Sequence, residues 1–116
     1  MKRNFVSLIG NVGKDDAQVK TLVVGKVANF SLAVNESFKK KGSDKPVDTT
    51  NWFNIIAWGK NADQAQAIAK KGAQLIIEGR IVNRSYVNKS NVTVYVTEIL
   101  ADSIKEFAYQ PQEVTA

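Results

Sequence analysis

Hydrophobic and polar positions alternate with period 2 through much of this chain, the pattern of half-buried strands. The clearest case is "NWFNIIAWGK", residues 51–60. Phe53, Ile55 and Ala57 make one wholly apolar face, and Trp52, Asn54, Ile56 and Trp58 make the other. The first face suits a core. The second sets an amide between two indoles, whose ring N–H groups need partners when buried. Alternation alone does not choose between a core role and a stacking surface for these rings.

The same pattern predicts a first strand over roughly Asn4 to Gly10, with Val6 and Leu8 on one face. A second apolar run, "AQVKTLVVGKVANFSLAVNES", carries a strand in which Ala28, Phe30, Leu32 and Val34 alternate with Asn29, Ser31, Ala33 and Asn35. Gly25 within it predicts a bulge or a bend, as at a barrel corner. Residues 38–50, "FKKKGSDKPVDTT", combine four lysines with Gly and Pro and lack periodicity, which predicts a long mobile loop. The tryptophan strand follows.

"NADQAQAIAKKG" predicts a capped helix. Asn61 stands at the N-cap with Gln64 three residues on, a capping-box arrangement. Ala62, Ala65, Ile68 and Ala69 form a narrow apolar stripe. Lys70 and Lys71 complement the negative end of the helix dipole, and Gly72 suits the left-handed C′ position. The remainder predicts a hairpin turning near Asn88 to Asn91. In its first strand Leu75, Ile77 and Ile81 share one face, and Ile76, Glu78, Arg80, Val82, Arg84 and Tyr86 share the other. In the returning strand Val92, Val94 and Val96 oppose Thr93, Tyr95 and Thr97.

Three strands, a helix and two strands form a small sheet that must hide its edges, and closure does so. The expected fold is all-β with one short helix: a five-stranded OB-fold Greek-key barrel with an extended hairpin between its last two strands. The domain is expected to span residues 1–105. Residues 106–116, "EFAYQPQEVTA", lose periodicity and are expected to be a short disordered tail.

Composition narrows the chemistry. The 116 residues include no cysteine and no histidine, which removes disulfides, zinc–thiolate sites, the commonest general base and the commonest metal ligand. The start, "MKRNFVSLIGNVGKDD", breaks its apolar run at Ser7 and Gly10, so neither a signal peptide nor a membrane span is expected and the protein reads as cytoplasmic. Net charge is +5. The last residues hold Glu98, Asp102, Glu106 and Glu113 against Lys105 alone, so the basic excess lies in the body of the chain. Such a body suits a polyanionic partner.

Catalytic readings fare poorly. "GNVGKDD" has two residues between its glycines and an Asp after the lysine, whereas a phosphate loop needs four residues and then Ser or Thr. A turn using Gly10 and Gly13 fits better. Asp15 and Asp16 lack a third ligand and make a weak cation site. No cofactor and no metal are expected.

Binding chemistry fares better, because bases stack on aromatic rings while cations track phosphates. Trp52 and Trp58 share a strand face with Lys60 just beyond; Arg80, Arg84 and Tyr86 share another; Phe38 adjoins Lys39, Lys40 and Lys41. Each has a plainer reading. Trp58 can be core, Tyr86 an ordinary cross-strand ring, and the lysines a solvated loop. Phe38 falls on the core parity of its strand, so an outward place requires the strand to end or bulge before it.

These segments resemble the bacterial single-stranded DNA-binding proteins, the SSB-type OB-folds, from about Asn4 to Ile104. The landmarks are "LIGNVGKD", "VANFSLAVNESF", "TTNWFNIIAWGKNAD", "KKGAQLIIEGRI" and "NRSYV", in that order. The resemblance implies sequence-independent coating of single-stranded DNA by a homotetramer during replication, recombination and repair. It implies stacking at Trp52, Trp58, Phe38 and Tyr86 and basic contacts at Lys60 and Arg84. Asn54 and Ser85 depart from it, standing where basic residues are common, and Phe38 and Tyr86 stand where tryptophan is common. Many members end in a polar linker and an acidic tip that recruits replication and repair enzymes; "QPQEVTA" shows neither, so replication and repair proteins stay among the partners the resemblance implies while the tip route to them is left open. Alternative readings are a primosome-type or RNA-binding OB domain and a protein-interaction module. A hydrolase or nuclease is not expected.

Overall fold

The alternating segments do become strands, and the strands close on themselves. The computed structural model describes residues 3–39, 41–42 and 44–107. Its elements are β1 (Val6–Val12), β2 (Gln18–Leu22), β3 (Gly25–Lys39), β4 (Pro46–Trp58), α1 (Lys60–Ile68), β5 (Gln74–Val87) and β6 (Thr93–Glu106). The hydrogen-bonded order is β1-β5-β6-β4-β3-β2, and β1 pairs with β3 as well. β1 meets β3 at Asn11↔Ala33 and Val12↔Leu32. β2 holds the same edge of β3 farther along, from Gln18↔Asn29 to Leu22↔Gly25. The two therefore act as one barrel strand broken at residues 13–17, and the result is a closed five-stranded OB barrel. Its parallel pair is β4 with β6, at Ile55↔Ile99.

Inward positions follow the period-2 expectation. Leu32, Ile55, Leu75 and Ile77 are fully buried, with Ile99 and Ile104 beside them. Helix α1 adds Ala62 and Ala65 to this core, and its C-cap adds Ala69; methyl side chains let the helix lie close against the strands. Closure also needs glycine where backbones cross. A Cβ on Gly10 would overlap the carbonyl of Ala33, and one on Gly79 would overlap that of Leu100. Gly79 sits at a register shift between β5 and β6, where Glu78 pairs with Ser103 but Gly79 with Ala101.

Several local expectations are corrected. The second apolar run is two strands, because Val23 and Val24 form a two-residue turn and Gly25, at φ 136°, opens β3. Both valines are fully exposed, so their apolar character marks no burial. The expected loop at 38–50 is mostly strand: the β3–β4 ladder continues to Lys39↔Pro46, leaving a connection of only 40–45. Cross-strand pairing supplies the order that the side-chain pattern lacks. Ile81, placed on the same face as Leu75 and Ile77, is exposed because the β1–β5 ladder ends at Val6↔Gly79 and β5 runs on without that neighbour.

The helix caps also differ. Gly59 is the N-cap, without a side-chain cap bond, and Asn61 Nδ2 instead donates to the Ala101 carbonyl at 3.2 Å. Tertiary contact outcompetes the capping box. The helix ends at Ile68 with no basic residue in its last turn. Gly72 is left-handed, φ 78°, but in the turn leading to β5, where its N–H donates to the Val12 carbonyl. The 88–91 turn is as expected: Asn88 Oδ1 accepts from the Ser90 and Val92 N–H groups. β6 runs to Glu106, and the Phe107 N–H still bonds the Gln74 carbonyl; residues 108–116 lie outside the described residues.

Candidate nucleic-acid interface

The outward face of β4 resolves the ambiguity of its two indoles. Trp52 is 60% exposed and Trp58 40%, while Ile55 and Ala57 between them face inward with no exposure. The rings are not core. Trp52 opposes Ala33, Asn54 opposes Ser31, Ile56 opposes Asn29 and Trp58 opposes Val27. Six residues of strand set the two indoles about 20 Å apart along β4.

Trp52, Asn54 and Ile56 form one wall of a cleft of about 560 Å³. Gly13 to Asp16 and Gln18 close one side of it, Asn29 and Ser31 contribute from β3, and Arg84, Val96 and Glu98 contribute from the β5–β6 hairpin. Gly13 lies directly against the Trp52 ring, since a Cβ there would come within 3.0 Å of Cζ3. The Gly13 N–H is anchored to the Ser31 carbonyl at 2.9 Å, so the loop backs the indole. Asp16 is taken up structurally, accepting the Lys71 N–H at 2.7 Å. Among the described residues no three potential metal-ligating side chains cluster.

Arg84 occupies the hairpin wall. Its Nε donates to Glu98 Oε1 at 2.6 Å, and Nη2 reaches Oε2 at 3.4 Å. Glu98 is buried, at 7% exposure. The hydrogen bond and charge of Glu98 raise the Arg84 pKa above its ordinary value, so the guanidinium is charged at any working pH. Its Cζ stands 5.8 Å from the centroid of the Tyr86 ring, within cation–π range.

Of the residues picked out from the sequence, Trp52, Asn54 and Arg84 meet at the cleft, with Tyr86 stacked beside Arg84. Trp58 and Lys60 are exposed at the far end of β4, where the chain turns into α1. Arg80 is exposed opposite Leu100, outside the cleft. Lys39 and Lys41 are exposed at the β3–β4 end, and Lys40 lies outside the described residues. Phe38 pairs through its backbone with Val47 in an unshifted ladder, so the strand neither ends nor bulges before it. Its side chain lies outside the described residues.

Glu98, Gly13 and Lys14 are among the cleft residues to which sequence reasoning gave no site role. Glu98 is a diagonal neighbour of Arg84 across the hairpin, because Arg84 opposes Val96. The turn at Asn88 was the available signal, since it sets the register that brings the two together.

Comparison with known proteins follows the same outline. Residues 3–107 match the single-strand binding protein family. The chain is 37% identical to single-stranded DNA-binding protein B of Bacillus subtilis, with 97% of each covered. It is 40% identical to single-stranded DNA-binding protein 1 of Chlorobaculum tepidum, covering 88% of this chain but only 63% of that protein. Among solved structures, the Plasmodium falciparum SSB in complex with ssDNA superposes with a TM-score of 0.80 at 25% identity, covering 93% of this chain and 97% of that one.

Proposed function

This chain belongs to the single-strand binding protein family, and on that premise we propose that it coats single-stranded DNA without sequence preference. The observation that carries the reading is the pair of exposed indoles on β4, held by an inward face that is fully packed. Bases stack on Trp52 and Trp58, with Tyr86 extending the surface along the hairpin, and a stacked base of any kind contributes ~1–3 kcal/mol. Asn54 offers a neutral amide between the indoles. The exposed cations Lys39, Lys41, Lys60 and Arg80 lie outside the cleft and are suited to the phosphates; Phe38 and Lys40 are assigned to the same path by family resemblance. The working form is a homotetramer serving replication, recombination and repair in the cytoplasm, at the nucleoid. The role is stoichiometric rather than enzymatic.

The test is titration of tryptophan fluorescence with oligo-dT. Quenching to a fixed stoichiometry is expected, with log K falling linearly against log salt at roughly −0.7 per phosphate neutralised. Unchanged fluorescence and salt-insensitive retention would overturn the reading. Sedimentation with and without dT oligomers checks subunit number and occupancy together, with a tetramer expected in both.

A further inference from the structure

The charge around the cleft does not follow the charge of the chain. The chain is basic overall, yet the cleft is lined by two cations, Lys14 and Arg84, and three carboxylates, Asp15, Asp16 and Glu98. One of those two cations is already matched. Arg84 meets Glu98 with two donor–acceptor contacts, at 2.6 and 3.4 Å. Glu98 is buried at 7% exposure, whereas the Arg84 side chain remains 53% exposed. The carboxylate is thus the fixed partner, and the guanidinium is the part presented to the cleft.

The geometry points to Arg84 as a stacking element rather than a phosphate contact, with Glu98 the positioning residue that neutralises it and holds its plane. A guanidinium is planar, weakly hydrated and able to stack on aromatic faces, and nucleic-acid bases stack on Arg planes as they do on aromatic rings. Tyr86, 5.8 Å from Cζ, supports the group from the hairpin side. A phosphate brought to the same guanidinium would have to compete with a buried carboxylate and would meet its charge. The Arg84 wall of the cleft therefore receives a base, and the phosphates run along the lysines, Lys14 at the opposite rim and those outside the cleft. This inference rests on the single-stranded DNA reading above and concerns how that surface divides its work.

The experiment is the salt dependence of oligo-dT binding by the wild type, Arg84→Met, Arg84→Lys and Glu98→Gln, with thermal unfolding of each as a check on folding. Arg84→Met should weaken binding roughly tenfold at every salt concentration, within the range for losing one stacked base, and leave the slope unchanged. Arg84→Lys keeps the charge and loses the plane, so it should be as weak as Arg84→Met. Glu98→Gln frees the Arg84 charge for a phosphate, so the slope should steepen by about 0.7. A purely structural role for Glu98 would move the melting temperature and leave the slope alone.

The inference is overturned if Arg84→Met lowers the slope by about 0.7 and Arg84→Lys restores wild-type affinity, the signature of a phosphate contact. Should Glu98→Gln fail to fold, the two Arg84 variants still decide between these outcomes. Failure of the wild type itself to bind dT at low salt removes the DNA reading and this inference with it. Wild-type binding with the phosphate-contact pattern removes the inference alone.

Discussion

The two faces of β4 are built from neighbouring residues of one strand and do opposite work. Phe53, Ile55 and Ala57 point into the barrel, and the last two have no exposure; Trp52 and Trp58 point out and keep 60% and 40% of theirs. The larger rings are therefore on the wetter side. Hydrophobic burial would favour the reverse arrangement, since an indole removes more apolar area from water than an alanine methyl. A packed inner face lets the outer face present its rings at fixed spacing, so on the proposed reading stability and binding separate by side-chain parity.

Substitutions on each side can break that separation. Ile55→Ala should have the largest effect, a loss of about 2–5 kcal/mol of stability from the transfer term and the cavity. Chemical denaturation measures it, and the folded fraction should bind dT as the wild type does. Trp52→Ala should do the converse, weakening dT binding by ~1–3 kcal/mol with little change in the unfolding midpoint. Trp58→Ala should follow the same direction. If either tryptophan variant melts early and binds normally, the two faces do not divide as described.

Smaller effects sharpen the same comparison. Gly13→Ala places a methyl against Trp52 Cζ3, so the ring must give by a few tenths of an ångström. It should weaken dT binding by less than Trp52→Ala does, with a visible shift in the tryptophan emission spectrum. Lys60→Gln should leave stability unchanged and reduce the salt slope by about 0.7, provided its ammonium meets one phosphate. A normal slope would remove Lys60 from the DNA path.

Much of this architecture is legible in local patterns. Alternation assigns both faces of β4, the inward set of β3, and Leu75 with Ile77 on β5, because each is a property of neighbours two residues apart. The alanine stripe of α1 and the turn at Asn88 are legible for the same reason. Ile81 misleads because parity names a face without saying where the barrel stops. Val23 and Val24 mislead because β-branched residues suit an extended run as well as the exposed tip they occupy here. Asn61 misleads because a tertiary acceptor, the Ala101 carbonyl, takes the amide that the capping box would have used.

By itself the sequence determined which side chains travel together: the indoles with Asn54 on one face of a strand, and the apolar residues behind them on the other. Only the tertiary structure decided which groups from distant segments meet. It set Gly13 of the β1–β2 connection under Trp52 of β4, and it set the buried Glu98 of β6 beside Arg84 of β5. Periodicity is a short-range property of one strand, whereas these contacts depend on register and closure, which the whole barrel must satisfy at once.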